Sequence, residues 1–208
     1  NPALAGRIVL LTSFPVAMST WTQPLTWTMS KLDGITSASP LSSIHEMTSG
    51  GAAPDVSLVE MLIGWRAGCL GETCAVALIL GGIYLVVRKV ISPTIPLTYI
   101  GTVAVIMLIA GKGDFRFVAY ELLGGGLMLG AIFMATDYTT SPITPKGKII
   151  FGIGCGLITS IIRIFGNLPE GVSYSIIIMN ILVPLIENVT LPKPFGTPKK
   201  EKKEAEAK

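Results

Sequence analysis

The sequence predicts an all-α, polytopic bundle of helices embedded in a membrane. Three observations carry this expectation. Half of the 208 residues are hydrophobic, and the mean hydropathy is +0.64. Only 14% of the residues are charged, against about 25% in ordinary soluble chains. The apolar residues are gathered into runs, several of them close to the roughly 20 residues that cross a bilayer. A soluble domain does not have this composition.

The elements follow in order. Residues 1–18 read as the end of a transmembrane helix, an apolar stretch with Arg7 and Pro15 inside it. The chain opens on Asn1-Pro2, with neither a methionine nor a signal peptide, so the sequence is expected to begin partway into a longer protein. Residues 19–54 form a long polar loop rich in Ser and Thr, and Trp21 and Trp27 near its start fit an interfacial belt. Loops of this length are usually functional or disordered.

Residues 55–190 are expected to form the transmembrane bundle. A short interfacial helix is predicted over 55–64, then a glycine-rich segment from Gly64 to Thr73. The apolar run from Cys74 to Val87 follows and stops at Arg88-Lys89. Further spans are predicted at 95–111, 117–136, 148–166 and 172–188, giving five to six crossings in this chain. Pro93 and Pro96 mark one turn, and Pro142 and Pro145 another. Residues 191–208 carry six lysines (Lys193, Lys199, Lys200, Lys202, Lys203 and Lys208) and no apolar run, which predicts a disordered basic tail. A solvated cytoplasmic tail accounts for that charge, and no nucleic-acid partner is expected.

Alternating the spans puts the connections at 88–94 and 137–147 on the same side as the tail. Excess Lys and Arg mark the cytoplasmic face of a plasma (inner) membrane, so the 19–54 loop is expected on the outer face. Within the spans, Gly126 and Gly130 form a small-xxx-small pair suited to close helix approach. The run Gly152-Ile153-Gly154-Cys155-Gly156 lacks the spacing of a dinucleotide fingerprint. Cys69, Cys74 and Cys155 have no metal-type spacing and read as small packing residues.

One stretch of the outer loop has the residue types that a covalent attachment needs. It reads Asp33-Gly34-Ile35-Thr36-Ser37-Ala38-Ser39-Pro40-Leu41. A phosphoester link requires an aliphatic hydroxyl on an accessible, small-residue segment. Thr36, Ser37, Ala38 and Ser39 meet that requirement, and Pro40 ends the segment. Taken alone, these residues also fit a Ser/Thr-rich loop without chemistry.

The wider pattern favours chemistry. Asn1-Pro2-Ala3-Leu4-Ala5-Gly6-Arg7, Phe14-Pro15 and Met18-Ser19-Thr20-Trp21 precede the loop. Gly71-Glu72-Thr73, Thr136-Asp137-Tyr138, Ser141-Pro142, Glu170-Gly171-Val172-Ser173-Tyr174-Ser175 and Met179-Asn180 follow it. In combination, up to about residue 190, these resemble the D-subunit family of Rnf complexes and, more distantly, the B subunit of the sodium-translocating NADH:quinone reductase.

The resemblance implies a flavin-carrying membrane subunit, part of an oxidoreductase complex that passes electrons between ferredoxin and NAD and couples this to Na+ or H+ translocation. It implies FMN held through a phosphoester on Ser39, where the family usually has threonine; serine offers the same oxygen. Thr36 is the rival hydroxyl, at the wrong spacing from Asp33. A second, non-covalent flavin such as riboflavin is compatible with the resemblance. The implied partners are the other membrane and peripheral subunits, the lipid bilayer and, during maturation, a flavin transferase. The flavin itself supplies the redox chemistry, so no side chain is assigned a catalytic role.

Arg66, Glu72 and Thr73 are the further candidates for contacting the flavin. Ionisable residues at membrane depth are expensive and usually functional, and Gly64, Gly68 and Gly71 permit a broken helix there. The competing reading puts Arg66 among headgroups, with Glu72 pairing with it or capping the next helix. Glu121 is expected to face water and Arg163 to snorkel. Asp137 is expected to close a turn, and Asn180 with Pro184 to open a kink. Two other functions stand beside the flavin carrier. Broken helices and intramembrane charges also fit a solute or ion channel or permease, and the loop could be a docking surface of a purely structural subunit.

Overall fold

Helices begin in this chain where a cap or a proline supplies a start, and they end where glycine or charge interrupts an apolar run. The computed structural model describes residues 1–22, 36–37, 41, 44, 56–69, 71–166 and 171–192. Helix α1 (Pro2–Ser13) starts on a proline, with the Asn1 side chain accepting from the Leu4 amide. Pro15 starts the short α2 (Pro15–Ser19). Strand β1 (Trp21–Thr22) pairs antiparallel with β2 (Thr36–Ser37), Trp21 opposite Ser37 and Thr22 opposite Thr36. Helix α3 (Leu58–Ile63) has a full capping box: Ser57 Oγ accepts from the Glu60 amide, and Glu60 accepts from the Ser57 amide at 2.8 Å. It stops at Gly64, whose φ of +100° is left-handed.

The apolar helices come next. They are α4 (Ala75–Val87), α5 (Thr94–Ala110), α6 (Phe115–Leu123), α7 (Leu127–Leu129) continued by a π-helical turn (Gly130–Met134), α8 (Pro145–Phe165) and α9 (Val172–Thr190). Among the described residues, α8 and α9 are each long and apolar enough to cross a membrane. The stretch 115–134 qualifies only as a pair of helices bent by 66°, and α1, α4 and α5 are shorter apolar helices. Fewer full-length crossings are therefore seen than the apolar runs predict. The predicted 117–136 span is cut by three consecutive glycines, and α4, at 1.5 Å per residue, ends when Arg88 arrives. Pro184 removes one amide from α9 without ending it.

Outward-facing positions are apolar. Ile83 and Val87 on α4, Val105 and Ile109 on α5, and Leu157 and Ile161 on α8 are exposed. Each pair is four residues apart, so each helix turns an apolar stripe outwards, as lipid requires. The protein is an integral membrane protein.

Inside, helices approach closely because small residues let them. On α8, Gly152 faces Thr98 of α5, and a Cβ on Gly156 would lie 2.6 Å from Thr102 Cβ. On the other side of α8, Gly154 faces Met179 of α9. The threonine hydroxyls that line this contact bond back to their own helix, Thr98 to the Thr94 carbonyl and Thr102 to the Thr98 carbonyl, both at 2.7 Å. Deeper in, the hydroxyls of Tyr99 (α5), Thr159 (α8) and Ser175 (α9) contact one another at 2.6, 2.8 and 2.7 Å. All three residues are fully buried, and their hydroxyls are satisfied within the group and by the Val172 carbonyl, to which Ser175 Oγ donates at 2.8 Å, as burial demands.

Between the spans, Asp137 closes its turn as expected. Thr139 and Thr140 donate to its carboxylate at 2.8 and 3.0 Å. Burial pushes that carboxyl up, but these hydrogen bonds outweigh it and hold it below the usual carboxylate range.

The glycine contacts set an expected asymmetry. Gly156→Ala should lower the thermal stability of the purified protein in detergent, by about 1–3 kcal/mol for an overpacked interface. Gly101→Ala, where a Cβ meets nothing within 4 Å, should leave it unchanged or raise it by up to ~1 kcal/mol through helix propensity.

Candidate functional site

The span formed by α6, α7 and the π turn is interrupted at Gly124-Gly125-Gly126. Three glycines in a row weaken a helix by roughly 1 kcal/mol each relative to alanine. Gly125 has φ +61°, and a Cβ there would lie 2.8 Å from Leu41 Cδ2, so both backbone and packing select glycine at that position. A break inside a buried span exposes the last carbonyls of one half and the first amides of the other. Non-helical backbone at membrane depth persists only where protein covers it.

Charged side chains cover both ends. Arg163 of α8 donates from Nη1 to the Glu121 carbonyl at 2.6 Å and to Glu121 Oε2 at 2.8 Å, and from Nη2 to the Gly124 carbonyl at 3.1 Å. It thus caps the C-terminal end of α6, where a cation is favoured by the helix dipole. Arg163 and Glu121 are 2% and 3% exposed. Neither snorkelling for Arg163 nor a water-facing Glu121 is what the structure shows. Each is the other's buried partner, because a single charge at this depth is far costlier than a hydrogen-bonded pair. At the start of α7, Glu72 Oε2 lies 3.0 Å from where a Cβ on Gly126 would stand, and it pairs with Arg7 of α1 at 3.3 Å. A carboxylate there complements the N-terminal end of α7. Asn1 Nδ2 donates to the Met134 carbonyl at 3.0 Å, so α1 grips the broken span at two places.

The third set of contacts comes from the loop. Leu41 and Ile44 are 2% and 0% exposed. A Cβ on Gly124 would lie 3.0 Å from Ile44 Cδ1 and 3.2 Å from Leu41 Cδ1, so these side chains fill the notch that the glycines leave.

Of the predicted site residues, Asp33 and Ser39 lie outside the described residues, as do the lysines of the tail. Thr36 is placed by its backbone in β2. Arg66, Glu72 and Thr73 come together in one tight loop between α3 and α4. Arg66 Nη2 donates to the Glu72 carbonyl at 3.1 Å and Nε to the Thr73 carbonyl at 3.4 Å. The ion pair of Glu72 is with Arg7 rather than with Arg66, which instead latches the loop through its backbone. Burial lowers the Arg66 guanidinium from its ordinary value, and the Glu72 charge opposes this; it stays protonated.

The family model described as NQR2, RnfD, RnfE family matches residues 1–196. The chain belongs to that family. Among similar proteins, the D subunit of the Na(+)-translocating ferredoxin:NAD(+) oxidoreductase complex of Acetobacterium woodii is 46% identical, over 100% of this chain and 62% of its own. The D subunit of the proton-translocating ferredoxin:NAD(+) oxidoreductase complex of Clostridium ljungdahlii is 42% identical, over 95% of this chain and 61% of its own. The D subunit of the ion-translocating oxidoreductase complex of Stutzerimonas stutzeri is 36% identical, over 94% and 63% respectively. The chain therefore spans about three-fifths of the length of these NQR2, RnfD, RnfE relatives.

For this family member, sequence reasoning groups Arg66, Glu72 and Thr73 in one glycine-rich segment, as the structure does, but does not anticipate the glycine break, the Arg163–Glu121 pair, or Arg7 as the partner of Glu72. The available signal is three glycines in succession within an apolar span, with one acid just before them. The buried pair should show strong energetic coupling. A double-mutant cycle on Arg163→Ala and Glu121→Ala is expected to give about 1–3 kcal/mol. The Arg7–Glu72 cycle should give less, since that pair is longer and Arg7 is 15% exposed. Thermal unfolding in detergent measures both.

Proposed function

We propose that this chain is the flavin-carrying part of the D subunit of an Rnf-type complex. In that role it serves electron passage between ferredoxin and NAD, coupled to Na+ or H+ translocation, within an oxidoreductase assembly. The names of the relatives at 46% and 42% identity support the complex. One observation in this chain carries the flavin reading. On either side of the hydroxyl residue, Thr36-Ser37 pair with β1, and Leu41 sits in the glycine notch.

Ser39 is the residue that would hold FMN, through its Oγ. The phosphoester would be made during maturation by a transferase, and the FMN so held would supply one- or two-electron transfer. Asp33 and Thr36 both precede Ser39 in sequence. Arg66 holds the loop carrying Glu72 and Thr73, which reaches the same broken span through Glu72. A second, non-covalent flavin such as riboflavin is compatible with the family, and no described residue is assigned to it. The break itself, which alone would fit a permease, is filled by Leu41, Ile44 and two ion pairs, and this supports a carrier over a conduit.

The proposed setting is the plasma (inner) membrane, with the 19–54 loop on the outer face, the lysine-rich tail in the cytoplasm and the other Rnf subunits as neighbours. The full-length protein, purified with its complex from cells containing the transferase, should carry one FMN-sized mass increment on the peptide containing Ser39. Ser39→Ala should abolish it together with in-gel flavin fluorescence, and Ser39→Thr should retain both. Wild-type protein without the increment would rule the reading out.

A further inference from the structure

We infer that the groove between α4 and α5 binds an anionic phospholipid, with one acyl chain lying in the groove and the phosphate held by Arg88 and Lys89 at its end. Nothing in this assignment depends on the flavin reading or on the 19–54 loop.

The groove holds a cavity of about 330 Å³, and every residue that lines it is apolar. Ile79, Ile83 and Val87 line it from α4, Leu97 from α5, and Ile132 from the broken span. Ile83, Val87 and Leu97 are exposed, so the groove opens sideways. From Ile79 to Val87 the helix rises about 12 Å at 1.5 Å per residue, close to the roughly 15 Å of hydrocarbon in one leaflet. A partner helix, about 10–12 Å across, would take up on the order of 1,000 Å³ over that length. The groove therefore suits a single flexible hydrocarbon chain, and a packed helix is too thick for it.

The turn from Arg88 to Pro93 closes one end, since Val87 before it and Pro93 at its close both line the groove. Arg88 and Lys89 are both exposed. Among the described residues, no carboxylate pairs with either side chain. The Lys89 amide donates to the Val86 carbonyl and the Val90 amide to the Leu85 carbonyl, both at 2.9 Å. This is a Schellman ending, in which glycine ordinarily takes the left-handed position. Lys89 takes it here, at φ +58°, so a cation stands at the mouth of the groove against the backbone preference. Tyr138 donates to the Val90 carbonyl of the same turn at 3.1 Å and is exposed, and such an amphipathic ring suits the headgroup level.

The chemistry of the two parts is complementary to one molecule. A chain laid among carbon side chains leaves its phosphate at the hydrocarbon boundary, where adjacent cations attract it. The Arg88 guanidinium offers a planar fork for two phosphate oxygens, and the Lys89 ammonium adds a point charge. The C-terminal dipole of α4 also favours cations at this place, and lipid preference separates that role from binding.

The test uses the full-length protein in its complex, in detergent, with phosphatidylglycerol or phosphatidylcholine that carries a photoreactive group on one acyl chain. Cross-linked peptides are read by mass spectrometry. Phosphatidylglycerol should label the α4 and α5 peptides that line the groove, on the order of 10-fold more than phosphatidylcholine does. Unlabelled phosphatidylglycerol should compete, and glycerol phosphate at the same concentration, which has the charge without the chains, should not. Arg88→Gln combined with Lys89→Gln should bring the two lipids level. Ile83→Trp, which fills the groove and keeps both cations, should lower labelling by both lipids. Lys112→Gln combined with Arg116→Gln removes the same charge beyond the other end of α5 and should change nothing. If the 88–89 variant fails to assemble, the wild-type preference and Ile83→Trp decide the matter. Equal labelling by the two lipids in the wild type, labelling confined to other helices, competition by glycerol phosphate, or an equal loss in the 112–116 variant overturns the inference. So does a groove that takes no lipid in the intact complex, the result expected if a neighbouring subunit covers it. Cations that served only the α4 dipole would cost the 88–89 variant stability and leave its lipid preference at the wild-type value, which also overturns it. The Ser39 assignment stands or falls separately from all of these outcomes.

Discussion

Everything in this fold is arranged around a helix that stops and restarts inside the protein. Three glycines at 124–126 cannot hold a helix against their own conformational freedom, and a stop at that depth leaves carbonyls facing one way and amides the other. Arginine on one side and glutamate on the other meet those partial charges with full ones of opposite sign. Each of these ions then needs its own counter-ion, which Glu121 and Arg7 provide. The cost of burying four charges is offset only because each also meets a backbone dipole or a partner at hydrogen-bond distance. Membrane-depth charge in this chain is therefore a consequence of the break, and its positions follow from where the glycines sit.

The same break explains why segments distant in sequence converge. Arg7 from α1, Glu72 from the loop before α4, Arg163 from α8, and Leu41 and Ile44 from the polar loop all reach 124–126. The apolar pair supplies the volume and the ions supply the bonds. The loop that carries the hydroxyls is in this way part of the packing of the bundle, and its anchor is as deep as any core residue.

How much of this the sequence discloses depends on the range of the interaction. Asp137 is legible because its partners, Thr139 and Thr140, are two and three residues away. The cap of α3 is likewise written locally, in Ser57 and Glu60. The positions of α5, α8 and α9 come from apolar run length, which is a local property too. Glu121 and Arg163 are misplaced by sequence reasoning because they stand 42 residues apart. An acid near the end of an apolar run looks solvent-facing until its partner is known. Arg66 and Glu72 lie in one loop, as their spacing suggests, but the carboxylate pairs with Arg7, from 65 residues away, where one of the alternative readings put Arg66. The glycine triplet reads as a packing surface when it is a break, because a single glycine serves packing and three in succession exceed what a helix tolerates. The family resemblance, by contrast, rests on many short motifs spread along the chain, and no single long-range contact is needed to see it.

The hydroxyl triangle of Tyr99, Thr159 and Ser175 has a consequence for how the bundle is phased. Each member comes from a different helix, and each is buried; Ser175 also donates to the Val172 carbonyl of its own helix at 2.8 Å, so it is the contacts among the three oxygens that require α5, α8 and α9 to be mutually aligned. A helix turns by about 100° per residue. Were α9 to gain or lose one residue ahead of Ser175, its hydroxyl would swing toward hydrocarbon and leave Tyr99 and Thr159 with a mismatched pair. The triangle therefore acts as a key for the rotational setting of α5, α8 and α9. Apolar packing against lipid, which looks much the same from every angle, could not supply that setting by itself.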